Sequence, residues 1–132
     1  MSFVYRINAA GEKLDDPSWE IVEAKLLGLK NWPHSTLSLY GDASAQMMLE
    51  FVNGEGYFIS AFGRDEAEEW LAVDHSKPSG MVLVDISGNV DDVPNNILVS
   101  DQIAISVVKD FYLYGVRSTD QAWTKSVDIM NQ

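Results

Sequence analysis

One stretch, residues 97–123, most constrains what this chain can fold into. It reads ILVSDQIAISVVKDFYLYGVRSTDQAW. Ser100 is a suitable helix N-cap, because its hydroxyl accepts from a free amide of the first turn, and Asp101 then lies at the positive end of the helix dipole. Gly115 is placed to end the helix in the left-handed conformation. Apolar residues recur between these ends at three- and four-residue steps: Ile103, Ala104, Val107, Val108, Phe111 and Tyr114.

The competing interpretation of this stretch is a strand, since Ile, Val and Tyr favour sheets. Its length and its period favour the helix. An apolar stripe of this kind more often covers the core of a domain than binds a partner. We therefore expect an amphipathic helix that lies over a sheet, with Asp101 facing outward at its start.

The residues before this stretch predict one more helix and a series of strands. Residues 3–8 alternate weakly and predict a first strand, followed by a polar turn. Asp16 as N-cap and Pro17 at the first helical position predict a helix that frays at Gly28. The sequence Asn-Trp-Pro at residues 31–33 then breaks that helix, because a residue before proline avoids the helical region.

The middle of the chain predicts an antiparallel meander. Strands are expected at residues 36–41, 46–52, 57–62, 68–73 and 81–86, with turns at the glycine-rich residues 53–56 and at 63–66. Residues 87–96 have turn chemistry throughout and predict a loop. The expected fold class is α+β, a single domain over residues 1–132. It consists of an antiparallel sheet of about five to six strands packed by one N-terminal and one C-terminal helix.

The charge of the chain is strongly negative and unevenly distributed. Nine basic and twenty acidic residues give a net charge of −11. Residues 65–101 contain nine acids against one base, Lys77, a net charge of −8. Binding to nucleic acid or to an anionic membrane is disfavoured, because both need basic groups. Either the acidity only aids solubility, or it forms a surface for a basic partner; the unevenness favours the surface.

The motifs of the common catalytic and metal sites are missing from the sequence. Asp74, His75 and Ser76 are the residue types of a triad, but sequence neighbours cannot converge as a triad requires. Two histidines without HExxH spacing and without cysteine disfavour zinc, and Asp91-Asp92 lacks the pattern of a calcium loop. We expect no catalytic residue, no metal and no cofactor. The missing cysteines and the N-terminus, which does not read as a signal peptide, fit a cytoplasmic protein.

Trp70 has two interpretations. It lies in the acidic sequence EEWLAV on a predicted strand, where Glu68 and Glu69 would face opposite sides. The simpler interpretation is packing across the sheet. The functional one is an aromatic anchor within an acidic interface, which is a common form of binding hot spot.

Residues from about 37 to 123 resemble the Imm1 family of bacterial immunity proteins. The matching pieces are MMLEFVNGEGYFIS, EEWLAVDH, MVLVDISGNVDDVPNNILVS and the helix with its tail. Within the last two pieces, the positions that fit the family's pattern are Val93-Pro94, Ser100, Ala104, Phe111, Gly115 and Trp123. The resemblance covers about two thirds of the chain, and these positions are structural, so Phe111 and Trp123 are expected to mark the fold rather than to contact a partner.

The resemblance implies a cytosolic protein without catalysis that binds the toxic C-terminal domain of a polymorphic or contact-dependent toxin, often a nucleic-acid deaminase or nuclease. Such toxins need basic surface to hold phosphate, which an acidic patch complements. The partner-binding residues predicted from the sequence are Asp65, Glu66, Glu68, Glu69, Trp70, Asp74, Asp91 and Asp92. An acidic adaptor with a different basic partner and a small enzyme remain as alternatives.

Overall fold

A computed structural model describes residues 3–32, 35–52 and 54–130 of the chain. It contains three α-helices and ten strands within those ranges. In chain order they are β1 (Val4–Ala9), β2 (Glu12–Asp15), α1 (Trp19–Gly28), β3 (Thr36–Gly41), β4 (Gln46–Val52), β5 (Gly56–Phe62), β6 (Trp70–Val73), β7 (Met81–Ile86), β8 (Asn89–Pro94), β9 (Leu98–Val99), α2 (Asp101–Tyr114), β10 (Ala122–Lys125) and α3 (Ser126–Met130).

Eight of these strands form one sheet, and the strand pairs are antiparallel. The order across the sheet is β10-β6-β5-β4-β3-β1-β2, with the short β9 paired to β5. The remaining strands, β7 and β8, form a separate two-stranded hairpin. The expected α+β class and the central meander from β3 to β6 are confirmed. The expected count of five to six strands is too low.

The two faces of the large sheet carry different elements. On one face, Leu39, Met47 and Ile59 pack with the buried sides of α1 and α2 in the main core. On the other face, Leu71 and Leu98 pack with Val84 of the hairpin in a second, smaller core. The sheet is therefore covered on one side by helices and on the other by a hairpin, and the hairpin has one face left over.

The helix expected near residue 100 is confirmed at both ends. Ser100 is the N-cap, and its hydroxyl accepts from the backbone N–H of Ile103 at 3.3 Å. Gly115 ends the helix in the left-handed conformation with φ 70°. The buried stripe differs from the prediction toward its C-terminal end: Tyr112 is buried and donates to the carbonyl of Pro17 at 2.7 Å, whereas Tyr114 is 60% exposed.

The end of α2 is held by a glycine that is required on two grounds. At φ 70°, Gly115 adopts a conformation that L side chains disfavour, and a Cβ there would collide with the ring of Phe3. Gly115→Ala is therefore expected to lower the free energy of unfolding by about 2 kcal/mol, to be measured by urea denaturation.

A matched substitution separates the two causes of that loss. Gly11→Ala also places a Cβ on a backbone of positive φ, 89°, but that Cβ would meet no atom within 4 Å. We expect a loss of about 1 kcal/mol for Gly11→Ala. Equal losses for the two variants would show that contact with Phe3 adds nothing.

The prediction for the start of α1 is wrong by two residues. The N-cap is Ser18, whose hydroxyl accepts from the N–H of Ile21 at 3.3 Å, and Trp19 is the first helical residue. Asp16 instead has φ 50° and donates its backbone N–H to the carbonyl of Tyr5 at 2.8 Å. Asp and Ser are similar N-caps, so their order along the chain does not decide between them.

Three further predictions are wrong because the strands concerned form only by pairing with other strands. The polar segment after β1, which was expected to be a turn, forms strand β2, which pairs with β1 at the edge of the sheet. The segment expected as a loop at residues 87–96 contains strand β8. The residues after Trp123, expected to be a poorly tied tail, continue β10 along β6 and then form α3.

Candidate partner-binding surface

The eight residues predicted to bind a partner lie in three separate places. Asp65, Glu66, Glu68, Glu69 and Trp70 surround the turn and the start of β6, on the helix side of the sheet. Asp74 lies in the loop after β6. Asp91 and Asp92 lie on β8, in the hairpin on the opposite side of the sheet. The acidic segment is contiguous in sequence but does not form one surface.

Glu66 is held within the molecule. Its carboxylate accepts from the guanidinium of Arg117, with Nη2 to Oε2 at 2.5 Å and Nε to Oε1 at 2.9 Å. It also accepts from the backbone N–H of Gly63 at 2.6 Å, across the turn predicted at residues 63–66. Both oxygens are thus engaged, and Glu66 fixes the turn to the segment that follows α2 instead of facing a partner.

The ion pair with Arg117 lowers the pKa of Glu66, helped by the hydrogen bond from Gly63. A lowered folded-state pKa contributes stability that is complete above the ordinary glutamate value of 4.5 and is lost as the pH falls toward the folded-state value. Glu66→Gln is expected to reduce unfolding free energy by about 1–2 kcal/mol at pH 7 and to flatten its decline below pH 4.5.

Denaturation of both proteins across the acid range measures this effect. Glu69→Gln is the matched control, because Glu69 forms no ion pair with another described residue. If Glu66→Gln and the wild type lost stability in parallel as the pH falls, the Arg117 pair would not be the source of the pH dependence.

Trp70 is neither buried in the core nor free as an anchor. The guanidinium of Arg117 stacks over its ring at 4.1 Å, and the ammonium of Lys125 lies 5.5 Å from the ring centre. Lys125 also pairs with Glu68 at 3.0 Å. Glu68 and Glu69 precede β6 rather than lying on it, so the expectation that they face opposite sides of a strand is wrong.

Asp74 is also committed locally. It is 7% exposed and accepts from the Ser76 backbone N–H at 3.0 Å and from the Ser76 hydroxyl at 2.6 Å. This is the local turn pattern common for aspartate. Asp101, expected to face outward toward a partner, pairs with Lys30 of the chain at 2.5 Å.

Besides the apolar contacts of the second core, one buried carboxylate attaches the turn of the β7–β8 hairpin to the sheet. Ser87 and Gly88 connect the strands with φ 53° and 87°, as in the two-residue turns that favour right-handed hairpin twist. Glu50 of β4 is 1% exposed and accepts from the Ser87 N–H at 2.8 Å and from its hydroxyl at 2.5 Å. These bonds support a serine in a conformation that is unusual for it.

The outward face of this hairpin is apolar and exposed. The register pairs Leu83 with Asp92 and Asp85 with Val90, which places these four residues on one face, while Val84 points into the second core. Met81, Leu83 and Val90 are 60%, 65% and 64% exposed. We call this surface the hairpin face: Met81, Leu83, Asp85, Val90, Asp92 and Pro94. An apolar centre beside carboxylates is the usual anatomy of a protein interface.

The acids of β8 are not neutralised within the described residues. Asp91 and Asp92 form no ion pair there, and the one hydrogen bond of their side chains is local, from the Asp92 N–H to Asp91 Oδ1 at 2.8 Å. By contrast, Glu66 and Glu68 are each paired with a cation. Asp65 and Glu69 also form no ion pair with another described residue, but Asp92 is the one acid of the predicted set that lies on the hairpin face, beside exposed apolar side chains.

Neither a family model, nor a curated protein, nor a solved structure matches this chain. In the described ranges, no group of three or more potential metal ligands comes together, and no helix is long and apolar enough to cross a membrane.

Sequence reasoning missed the apolar members of the hairpin face. The signal was present in MVLVDI, where residues of both parities are apolar. A strand with one face in the core needs apolar residues at alternate positions only, so packing in the core does not explain the apolar side chains of Met81 and Leu83. The prediction of a loop at residues 87–96 concealed the partner strand that carries Val90.

Proposed function

We propose that this chain is an immunity protein, which binds a basic toxin domain in the cytosol and covers the surface that the toxin uses for its substrate. The hairpin face carries the proposal: three exposed apolar side chains lie beside Asp92, which forms no ion pair with another described residue, on an element that is not needed to cover the helix side of the sheet. The resemblance to the Imm1 family supplies the identity of the partner class.

The charge of this surface fits the chemistry of such a partner. A toxin that acts on nucleic acid presents basic side chains to phosphate, and Asp92 of the hairpin face would meet them in place of phosphate. Opposite charges speed the encounter and orient it, while burial of Met81, Leu83 and Val90 slows dissociation. Inhibition then needs no catalytic group in the chain, because an occupied substrate surface is already blocked.

The positions that carry the resemblance have structural roles, as the proposal requires. Phe111 is fully buried, Ser100 and Gly115 cap α2, and the indole N–H of Trp123 donates to the carbonyl of Ser118 at 2.9 Å. Residues of this kind maintain a fold in a family while contact residues vary with the partner. Recognition accordingly lies outside these four residues, whereas Pro94, which also fits the family's pattern, lies at the edge of the hairpin face.

An acidic adaptor that binds a basic partner other than a toxin is the second candidate. It is supported by the same hairpin face, since exposed apolar and acidic groups do not specify what the partner does. An enzyme has less support, because Asp74 and Ser76 bond to each other in a local turn, which leaves no converging set with the exposed His75.

Co-expression tests the proposal and separates the two candidates. The toxin domain encoded beside this chain is expressed with and without it, and growth and co-purification are measured. We expect growth to be restored and a complex to be recovered. A complex without rescue would favour the adaptor, and neither rescue nor a complex would overturn the proposal of immunity.

A further inference from the structure

The backbone of the hairpin follows a regular hydrogen-bonding pattern from one end to the other. The two-residue turn at residues 87–88 makes Ile86 and Asn89 the closing pair of the hairpin, which is hydrogen-bonded in turns of this length. Hydrogen-bonded and non-hydrogen-bonded pairs then alternate along an antiparallel ladder. At the other end of the hairpin, the Asn95 N–H donates to the Gly80 carbonyl at 2.9 Å, as this alternation requires.

The alternation decides which backbone groups of the hairpin point away from its own ladder. They belong to the residues of the hairpin face, because those residues occupy the non-hydrogen-bonded pairs. The N–H and C=O of Leu83, in the middle of β7, therefore lie on the outer edge of the strand. They bond to no other described residue, and Leu83 is 65% exposed. An incoming chain can reach this edge.

Other strand edges of the molecule carry features that oppose pairing with a further strand. On β8, Pro94 has no N–H to donate, and the Asp92 N–H is already bonded to Asp91 Oδ1 at 2.8 Å. The edge strands of the large sheet contain lysine, at Lys13 in β2 and at Lys125 in β10. Strand β7 reads MVLVDI, with neither proline nor lysine. Among the described edge strands of four residues or more, β7 thus lacks this protection.

We infer that the basic partner adds an extended segment of its chain as a strand along the outer edge of β7. The N–H and C=O of Leu83 bond to the backbone of that segment, and its side chains continue the hairpin face. The inference rests on the proposed function, since the partner is the toxin domain. It adds that the toxin domain is recognised through its backbone as well as through its side chains.

The charge of the hairpin favours a basic segment over a second copy of this chain. Residues 81–94 contain three acids, Asp85, Asp91 and Asp92, and no base. Two copies paired through β7 would bring these carboxylates together on chains that each carry a net charge of −11. Like charges at that spacing oppose the pairing, whereas a basic segment relieves the repulsion.

The geometry of the hairpin face also indicates where a basic side chain would lie. An arginine directly opposite Leu83 on the added strand shares a face with Leu83 and with Asp92, which is paired with Leu83 on the other side. The added strand and β8 are about 10 Å apart, a span that an arginine and an aspartate bridge together. The stem of the arginine then covers Leu83 while its charge meets Asp92.

Amide hydrogen exchange, resolved by residue with NMR, tests the inference on the chain alone and in complex with the toxin domain encoded beside it. In the free chain, the amides of Val82 and Val84 are expected to be protected by β8, and the amide of Leu83 to exchange rapidly. In the complex, exchange at Leu83 should slow by at least about a hundredfold. The amide of Val90, on the outer edge of β8, should slow far less.

Leu83→Pro separates a backbone contact from a side-chain contact. Proline removes the outward N–H without removing a bond to β8. We expect Leu83→Pro to bind the toxin domain at least about tenfold more weakly than Leu83→Ala, which shortens the side chain but keeps the N–H. Val90 is the matched control, because it is 64% exposed and its N–H points outward from β8. Val90→Pro and Val90→Ala should therefore bind alike.

Three outcomes would overturn strand addition while leaving the proposed function in place. The first is a complex that restores growth but in which the Leu83 amide exchanges as rapidly as in the free chain, a result that decides the matter even if Leu83→Pro does not fold. The second is equal affinity of folded Leu83→Pro and Leu83→Ala. The third is a dimer of the free chain, seen by light scattering, that Leu83→Pro dissociates. Absence of any complex would instead contradict the proposed function, and strand addition with it.

Discussion

Glu50→Ala is expected to release the hairpin from the sheet and to lower the free energy of unfolding by about 3 kcal/mol. The carboxylate of Glu50 is 1% exposed and is bonded to both the N–H and the hydroxyl of Ser87. Its removal leaves the Ser87 donors without these acceptors and withdraws support from a turn residue with φ 53°. Urea denaturation measures the loss, and hydrogen exchange locates it.

The exchange pattern is the sharper part of that prediction. Amides of β7 and β8 should exchange much faster in Glu50→Ala than in the wild type. Amides of α2 should exchange faster only by the amount that the loss of global stability explains. Asp120→Ala, at an exposed acid in the segment before β10, is the control and should change neither quantity. Loss of stability spread evenly over the chain would contradict a local anchoring role for Glu50.

Leu83→Lys is expected to weaken binding to a basic toxin domain by at least about a hundredfold while unfolding free energy changes by less than about 0.5 kcal/mol. Leu83 is 65% exposed at the centre of the hairpin face, so the folded chain loses little when it is replaced. In the complex, the change removes apolar contact and places a positive charge opposite a basic partner. Isothermal titration calorimetry or surface plasmon resonance measures the affinity.

Leu27→Lys is the matched control for that change. Leu27 is 39% exposed on α1, on the far side of the sheet, and the substitution alters charge and apolarity in the same way. It should leave affinity within about threefold of the wild type. Equal losses in Leu27→Lys and Leu83→Lys would mean that net charge, and not the hairpin face, governs binding.

The elements that sequence predicted well are those whose signals are local. Helix α2 has a capping serine, an apolar period and a left-handed glycine within one stretch, and its ends are confirmed at Ser100 and Gly115. The meander from β3 to β6 alternates around turns of glycine and polar residues. The turn at residues 53–56 is described from Gly54, which has φ 80°; Asn53 lies outside the described residues.

The elements that sequence missed are held by partners distant in the chain. Strand β8 has the composition NVDDVP, which disfavours a strand by itself. It forms because β7 pairs with it and because Glu50, 37 residues before Ser87, bonds the turn between them. Strand β10 likewise depends on β6. No local sequence pattern in either segment predicts these contacts.

The candidate site was predicted in part, for a related reason. Counting charges along residues 65–101 located an acidic segment but not the cations that fold against it. Glu66 is paired with Arg117, Glu68 with Lys125 and Asp101 with Lys30, and all three cations come from outside the segment. Asp91 and Asp92 on the hairpin stay unpaired within the described residues, and so do Asp65 and Glu69 on the other side of the sheet. The predicted acidic surface is therefore divided between two places.

Hydrogen exchange of the complex is the most direct test of the central claim, that the chain neutralises a basic toxin domain through the hairpin face. The chain is compared alone and bound to the toxin domain encoded beside it. The account predicts slower exchange in β7 and β8, with α1 and β2 unchanged. Protection confined to α1 and β2, or no complex at all, would contradict it.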